Sequence, residues 1–166
     1  MIKQNIILIG MPACGKSTIG VLLAKAMGMD FLDTDIFIQA RECQPLQQII
    51  DSKGIDEFCR IEQDCLLSLC LENTIVATGG SAVYSAKAMN HLKSRGRAVF
   101  LDITLDEIKK RLTNISTRGL VKESDQTIES LYEKRLPLYK QFADITIDCN
   151  NLTQEQTVQA IINNQL

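Results

Sequence analysis

The chain has 166 residues, of which 45% are hydrophobic and 23% charged, with a formal net charge of −2. This length and composition fit one globular domain over residues 1–166, and the slightly acidic balance excludes a basic surface for nucleic acid or an anionic membrane. No apolar run approaches the length of a membrane span, and no secretory signal pattern precedes the first strand, so we expect a cytoplasmic protein with no membrane partner. We also expect a monomer with no nucleic-acid partner.

The first predicted elements are a strand at 5–9 and a helix at about 16–27, joined by a glycine-containing loop. The loop reads Gly-Met-Pro-Ala-Cys-Gly-Lys-Ser-Thr and fits the phosphate-binding pattern G-x-x-x-x-G-K-[ST] at every fixed position. Backbone N–H groups at such a helix start point at anionic oxygens. Lys16 can reach the outer phosphates and Ser17 can ligate Mg²⁺, so the loop predicts a nucleoside triphosphate site with Mg²⁺. The loop residues expected to form it are Gly10, Ala13, Cys14, Gly15, Lys16, Ser17 and Thr18.

Strand-like and helical segments alternate along the rest of the chain. Further strands are predicted at 31–33, 74–78, 97–102 and 144–148. Further helices are predicted at about 35–42, 45–52, 55–71, 85–94, 105–112, 125–142 and 153–164. The alternation predicts an α/β fold with a parallel, doubly wound sheet and helices on both faces. The polar composition of 144–148 is typical of an edge strand, and the polar, aperiodic stretch 113–124 is typical of an active-site lid.

Two carboxylates follow the second predicted strand, and ligands in open α/β sheets bind outside the carboxyl ends of strands. We expect Asp33 to support Mg²⁺ through a water molecule. We expect Asp35 to accept a hydrogen bond from a substrate hydroxyl and to act as base or orienter. An alternative interpretation of residues 33–35 is that an aspartate caps the following helix. Capping and ligand binding are compatible roles.

The third predicted strand ends in Thr78-Gly79-Gly80-Ser81. The bare N–H groups of the two glycines could hold a substrate anion beside the phosphate loop, although a strand-ending turn also explains them. The strand carries no Walker B aspartate, so a Mg²⁺ site must take its carboxylate from Asp33 or Asp35.

Three arginines could complete the site. Arg118 lies in the predicted lid, where it could stabilise charge on the transferring phosphate. Arg135 precedes Pro137, which we expect to kink its helix and to aim the guanidinium towards a substrate carboxylate. Arg111 could stack on the adenine ring, or could simply be a cation near a helix C-terminus.

The cysteines argue against a zinc site. The six of them form no C-x-x-C pair, and His91 is the one histidine of the chain. We expect reduced thiols, with Cys14 a candidate for oxidation because it lies in the donor-rich loop next to Lys16.

Together these residues resemble the shikimate kinase family, within the nucleoside monophosphate kinase-like P-loop fold. The resemblance runs nearly end to end and rests on Gly10-x4-Gly15-Lys16-Ser17-Thr18-Ile19-Gly20, Leu32-Asp33-Thr34-Asp35, Phe58 with Glu62, Thr78-Gly79-Gly80, Arg118, Arg135-x-Pro137-Leu138-Tyr139 and Ala143-Asp144. It implies a three-layer fold with a five-stranded parallel sheet of order 2-3-1-4-5, an ATP site, a substrate subdomain at about 34–62 and a lid at about 113–124. It also implies transfer of the ATP γ-phosphate to the 3-hydroxyl of shikimate.

The resemblance also implies residue roles. Lys16 and Arg118 would serve the phosphates, Ser17 would ligate Mg²⁺ and Asp33 would support it through water. Arg111 would lie against adenine. The implied acceptor side comprises Asp35 for the ring hydroxyls, Gly80 and Arg135 for the carboxylate, and the neighbouring positions Cys59, Gly79 and Ser81.

Three positions depart from the family pattern. Cys59 stands where the family has an arginine that grips the carboxylate, Ser81 replaces a glycine, and Gly119 replaces a proline after the lid arginine. Arg60 points about 100° away from position 59 on a helix and cannot substitute for that arginine. Losing a charge-assisted hydrogen bond to a carboxylate costs a few kcal/mol, or roughly two orders of magnitude in binding.

Two alternatives therefore stay open at the level of sequence. One is a kinase for a different hydroxylated small molecule, which Cys59 favours. The other is a non-catalytic nucleotide-binding regulatory module, against which the intact Lys16, Ser17, Asp35 and Arg118 argue. A nucleoside monophosphate kinase fits less well, because a pair of carboxylates suits a polyol better than a phosphate-bearing acceptor.

Overall fold

The computed structural model describes residues 4–113 and 127–165. Its five strands pair only in parallel and lie in the order β2-β3-β1-β4-β5, which confirms the predicted sheet. The strands are β1 Asn5–Ile9, β2 Asp30–Asp33, β3 Thr74–Ala77, β4 Gly96–Asp102 and β5 Ile145–Asp148.

Eight α-helices and one short 3-10 helix connect and cover the described strands. The α-helices are α1 Lys16–Met27, α2 Thr34–Glu42, α3 Leu46–Lys53, α4 Ile55–Ser68, α5 Ala86–Lys93, α6 Leu105–Thr113, α7 Ile128–Phe142 and α8 Gln154–Gln165, and the 3-10 helix is Ala82–Tyr84. The α4 helix ends three residues before the predicted boundary at 71. The backbone becomes extended at Leu69. Because Leu69 is nevertheless buried, its apolar side chain continues the pattern from which a longer helix was predicted.

The middle of the sheet is buried on both faces, as continuous apolar runs in a parallel sheet require. Every residue of β1 and β3 is buried, and Leu8 pairs with Ala77 on one side and Val99 on the other. The β5 strand alternates buried and exposed positions at the sheet edge, as its polar composition predicted. This core fixes the carboxyl ends of β1, β2 and β3 side by side.

The order of the strands places helices on both faces. The chain moves from β1 to the edge strand β2 in one direction and from β3 to β4 in the other, so right-handed crossovers put the connecting helices on opposite sides. The α1 helix packs with α8 and against β2 and β3, whereas α5 and α7 contact β4. This reversal places the carboxyl ends of β1, β2 and β3 at one cleft. Such a cleft is the usual ligand site of open parallel sheets.

The helices α2, α3 and α4 enclose a second, smaller apolar cluster. Its buried members are Ile38, Ile49, Ile50, Phe58 and Cys65. Four of these residues lie within the segment at about 34–62 that is predicted to form the substrate subdomain, and Cys65 lies one turn further along α4. The cluster holds α4 in place, and α4 supplies the buried Glu62 to the cleft.

The α7 helix continues through Pro137 to Phe142. Pro137 lacks the N–H that would close one helical hydrogen bond, yet the helix continues on both sides of it. None of the helices in the described ranges is both long enough and apolar enough to cross a membrane.

Candidate active site

The phosphate loop leaves β1 and wraps around the start of α1. Gly15 occupies the position before the helix with a left-handed backbone (φ 102°), and no side chain caps that end. The first-turn N–H groups of α1 therefore face the loop without an internal acceptor, which is the arrangement that binds anionic oxygens. Ala13 also has a positive φ of 64°, an uncommon conformation for a residue with a Cβ.

The ammonium group of Lys16 folds back over this loop. Its Nζ donates hydrogen bonds to the carbonyl oxygens of Gly10 at 2.8 Å and Met11 at 2.9 Å, and lies 3.5 Å from Cys14 Sγ. The loop thus holds a cation at its centre, where outer phosphates would bind. Cys14 is only 1% exposed, so its burial counts against the hypothesis of an oxidisable thiol, which requires access to solvent.

Ser17 and Asp33 connect the loop to the end of β2. Ser17 Oγ donates to Asp33 Oδ2 at 2.6 Å, while Asp33 Oδ1 accepts from the N–H groups of Asp35 at 3.0 Å and Ile36 at 3.3 Å. Asp33 is thus the cap of α2, as the alternative reading of 33–35 had it, and also faces the phosphate loop. The two roles use different oxygens of one carboxylate.

This pair fits a Mg²⁺ ion. A hydroxyl and a carboxylate oxygen are hard ligands, and Mg²⁺ prefers one or two such protein groups with phosphate oxygens and water. In the described ranges no three His, Cys, Asp or Glu side chains gather into a metal-binding group. Ser17 Oγ and Asp33 Oδ2 are the hard oxygen atoms that meet beside the loop, so the residue types predicted for Mg²⁺, with Asp33 acting through water, are compatible with it.

Asp35 lies one residue inside α2 and faces the end of β3. Thr34, which is fully buried, accepts a hydrogen bond from the N–H of Gly79 at 3.0 Å and so ties the two strand ends together. A Cβ added to Gly79 would lie 2.7 Å from Asp35 Oδ1 and 2.5 Å from Glu62 Oε1. Such distances are too short for a real Cβ, so glycine at this position lets both carboxyl groups approach the strand end.

Glu62 is the acidic side chain behind this strand end. It is 2% exposed, and its Oε2 accepts a 2.6 Å hydrogen bond from Ser81 Oγ, while its Oε1 is buried without a hydrogen-bond partner. Burial raises the pKa of Glu62 to about 7; the hydrogen bond from Ser81 opposes this rise, the charge of Asp35 adds to it and the charge of Arg135 opposes it. Glu62 therefore changes protonation near neutral pH.

Arg135 lies on the same side of the cleft. It is 1% exposed, its Nε donates to Tyr84 Oη at 2.9 Å, and its guanidinium carbon lies 5.1 Å from the centre of the Tyr84 ring. Its Nη1 would be 2.8 Å from a Cβ added to Gly80, so the guanidinium reaches the strand end. The Tyr139 hydroxyl donates to the Gly80 carbonyl at 2.7 Å and holds the peptide there. The sequence-predicted Gly79, Gly80, Ser81, Asp35 and Arg135 are thus brought together.

Cys59 lies one helical turn before Glu62 on α4. Burial raises the pKa of its thiol, and the charge of Glu62 adds to this rise. A cavity of about 160 Å³ borders both of them and extends to Ser81 and Tyr84. Arg60 is 76% exposed and pairs with Glu57 at 3.4 Å, so it does not take the place of an arginine at position 59.

Arg111 lies on α6, beside the phosphate loop. Its Nη1 donates to the carbonyl oxygens of Ala13 at 3.3 Å and Cys14 at 3.4 Å, and its Nε pairs with Glu107 at 2.8 Å. These contacts place it against the phosphate loop, near the C-terminus of α6. Arg118, Gly119 and the predicted lid after residue 113 lie outside the described residues.

Four contributors were not assigned a site role by sequence reasoning. Thr34 joins β2 to β3, Glu62 accepts from Ser81, Tyr84 holds Arg135, and Tyr139 holds the Gly80 peptide. Tyr139 follows Arg135 by one helical turn, a spacing that could have suggested a shared face. Tyr84 carries no such signal, because its partner is 51 residues away.

Comparison with known proteins gives consistent matches. The family model described as shikimate kinase matches residues 12–165. A shikimate kinase of Haemophilus influenzae (strain PittEE) is 34% identical over 165 residues, covering 97% of this chain and 89% of that protein. A shikimate kinase of Pasteurella multocida (strain Pm70) is 37% identical over 163 residues, covering 96% and 91%. The solved structure of shikimate kinase from Acinetobacter baumannii in complex with shikimate is 29% identical with a TM-score of 0.89, covering 98% of this chain and 93% of that one.

Proposed function

The chain belongs to the shikimate kinase family, and on that premise we propose that it transfers the γ-phosphate of ATP to the 3-hydroxyl of shikimate. Membership makes it a phosphotransferase that acts on an alcohol group and uses ATP as its nucleotide substrate. The observation that carries the proposal is the hydrogen-bonded link from Ser17 through Asp33 to the start of α2. This link joins the phosphate loop at the end of β1 to the start of α2 at the end of β2, across the end of β3, which lies between them.

On the donor side, the N–H groups of the loop and of the α1 N-terminus would bind the phosphates of ATP. Lys16 would exchange its hydrogen bonds to the loop carbonyls for the outer phosphate oxygens, where it offsets negative charge. Arg111 would lie against the adenine, and Arg118 would serve the transferring phosphate. Ser17, and Asp33 through water, would hold Mg²⁺, which when bound neutralises charge on the phosphates.

On the acceptor side, Asp35 would bind the ring hydroxyls and orient the 3-hydroxyl. As the hydroxyl oxygen bonds to the γ-phosphorus and the bond to the ADP oxygen breaks, the hydroxyl proton would pass to the Asp35 carboxylate. The Gly80 peptide and Arg135 would hold the carboxylate of the acceptor. The support for this assignment is that both groups face the same strand end as Asp35.

A second candidate is a kinase whose acceptor differs from shikimate at the carboxylate. Cys59 is the observation that favours it, because it removes a cation from the pocket wall and Arg60 points into solvent instead. An acceptor without the carboxylate, or with the carboxylate placed elsewhere, would not require that cation.

A coupled ADP-release assay separates the candidates. With ATP and Mg²⁺, the purified chain should release ADP upon addition of shikimate, and Lys16→Ala should abolish the release. Turnover of another polyol or sugar acid in place of shikimate would support the second candidate. Binding of ATP without turnover of any acceptor would instead indicate a nucleotide-binding module.

A further inference from the structure

We propose that binding of an anionic acceptor is linked to protonation of Glu62: the pocket binds a carboxylate when Glu62 is neutral and loses affinity for it when Glu62 is ionised. This inference rests on the proposed function, since it concerns the carboxylate end of the same acceptor. It assigns Glu62 as a positioning residue that sets the charge available at Arg135.

The first support is the composition of the buried pocket. Within residues 4–113 and 127–165, the buried charged side chains are Glu62 and Arg135. They interact electrostatically, and an ionised Glu62 offsets the charge of Arg135. A carboxylate brought in by the acceptor then competes with Glu62 for one guanidinium in a medium of low dielectric constant. Protonation of Glu62 removes the competitor.

The second support is the hydrogen bonding of the Glu62 carboxyl group. Ser81 donates to one oxygen, and the other oxygen, Oε1, is buried without a partner on the side of Asp35. Ionising Glu62 costs free energy, because its Oε1 has no hydrogen-bond donor and its charge is repelled by the Asp35 carboxylate. Protonation of Glu62 removes that repulsion. The raised pKa of Glu62, about 7, agrees with this geometry.

The third support is the surroundings of Glu62, which set the pH range. Asp35 faces it from α2, Arg135 from α7 and Cys59 from α4 itself, and Ser81 bonds to it from the end of β3. Further charged groups on packed elements have different partners. Lys134 of α7 lies 5.4 Å from the centre of the Tyr84 ring, and Arg41 of α2 contacts Cys65 and Ser68. Lys53 of α3 pairs with Glu42, His91 of α5 contacts the Leu69 carbonyl and Lys93 of α5 pairs with Asp144. The cation that lowers the pKa of Glu62 is Arg135.

The experiment is the pH dependence of acceptor KM with saturating ATP, between about pH 6 and pH 9. For one linked proton, the KM of shikimate should rise by up to about tenfold per pH unit above a break near pH 7, while kcat changes less. Glu62→Gln should flatten the rise. Asp64→Asn, the same chemical change at an exposed position of α4, should keep it. Parallel profiles for the wild type and Glu62→Gln would overturn the proposal.

Two further variants move the break in opposite directions, which a merely structural role of Glu62 would not do. Ser81→Ala removes the hydrogen bond that lowers the pKa of Glu62, so the break should move to higher pH. Cys59→Arg places a cation one helical turn from Glu62, so the break should move to lower pH. A break that stays fixed in both variants contradicts the assignment, and these variants also cover the case in which Glu62→Gln fails to fold.

A measurement on the free protein separates this proposal from the proposed function. Carbon-13 NMR of the glutamate carboxyl groups should show one titration near pH 7 that is absent in Glu62→Gln. Titration of Glu62 below about pH 5, the range of an ordinary glutamate, would refute the linkage whatever the acceptor. Absence of shikimate turnover at every pH, with the neutral titration present, would instead refute the proposed function alone.

Discussion

Replacing Glu62 with glutamine should stabilise the fold at alkaline pH and have little effect at acidic pH. The carboxyl group is buried, and its pKa rises from an ordinary 4.5 to about 7 on folding. At 1.36 kcal/mol for each pH unit, keeping the ionised form buried costs about 3 kcal/mol. Glutamine has nearly the same shape, can accept the hydrogen bond from Ser81 and carries no charge, so it avoids this cost.

The sign follows from proton uptake. Between pH 4.5 and about 7 the folded protein binds more protons at Glu62 than the unfolded chain does, so stability falls as pH rises through this window and is level above it. Stability from this group is therefore fully present below pH 4.5 and lost as pH rises through the folded-state pKa. The advantage of Glu62→Gln over wild type should grow by about 3 kcal/mol from pH 4 to pH 8.

Urea unfolding, followed by circular dichroism at several pH values, measures this difference directly. Asp64→Asn is the matched control, since it makes the same carboxyl-to-amide change at an exposed position of α4 and should show no comparable trend. A Glu62→Gln advantage that does not change with pH would refute the reasoning. It would mean that Glu62 has the same charge in the folded and unfolded protein across that range.

Three other substitutions test the acceptor side. At pH values below its own break, Cys59→Arg should lower the KM of shikimate by about tenfold to a hundredfold, because the cavity beside Cys59 has room for a second cation near the carboxylate; unchanged kinetics would show that the pocket differs in more than this residue. Gly79→Ala should reduce kcat/KM by about a hundredfold with ATP binding retained, since its Cβ would lie 2.7 Å from Asp35 Oδ1; near-normal activity would contradict the close packing. Tyr139→Phe should lower the free energy of unfolding by about 1–2 kcal/mol, because the partly buried Gly80 carbonyl loses its 2.7 Å donor; equal urea midpoints would show that another donor replaces it.

Much of the fold could be predicted from the sequence because its signals are local. The apolar run of β1 and the loop from Gly10 to Thr18 predict a strand, a phosphate site and a helix within one short stretch. The family resemblance supplied the order of the strands, which the sheet confirms. The end of α4 was placed wrongly because Leu69 is buried although its backbone is extended, and periodicity reports burial rather than backbone conformation.

The acceptor side was less predictable because it is built from distant pairs. The hydrogen bond from Ser81 to Glu62 joins residues 19 apart, and that from Arg135 to Tyr84 joins residues 51 apart. No periodic pattern encodes such contacts. Cys59 and Ser81 stood out in the sequence only as separate departures, whereas the structure relates both to one carboxyl group. The role of Arg118 remains a prediction from the family pattern.

Identification of the phosphorylated product tests the central claim most directly. The purified chain, incubated with ATP, Mg²⁺ and shikimate, should yield shikimate with phosphate on the 3-hydroxyl, visible as a phosphorus-31 signal coupled to the proton on carbon 3. Asp35→Asn should slow formation of this product strongly while binding of ATP is kept. A phosphate on another hydroxyl, or ADP formation without phosphorylated shikimate, would contradict the proposed reaction.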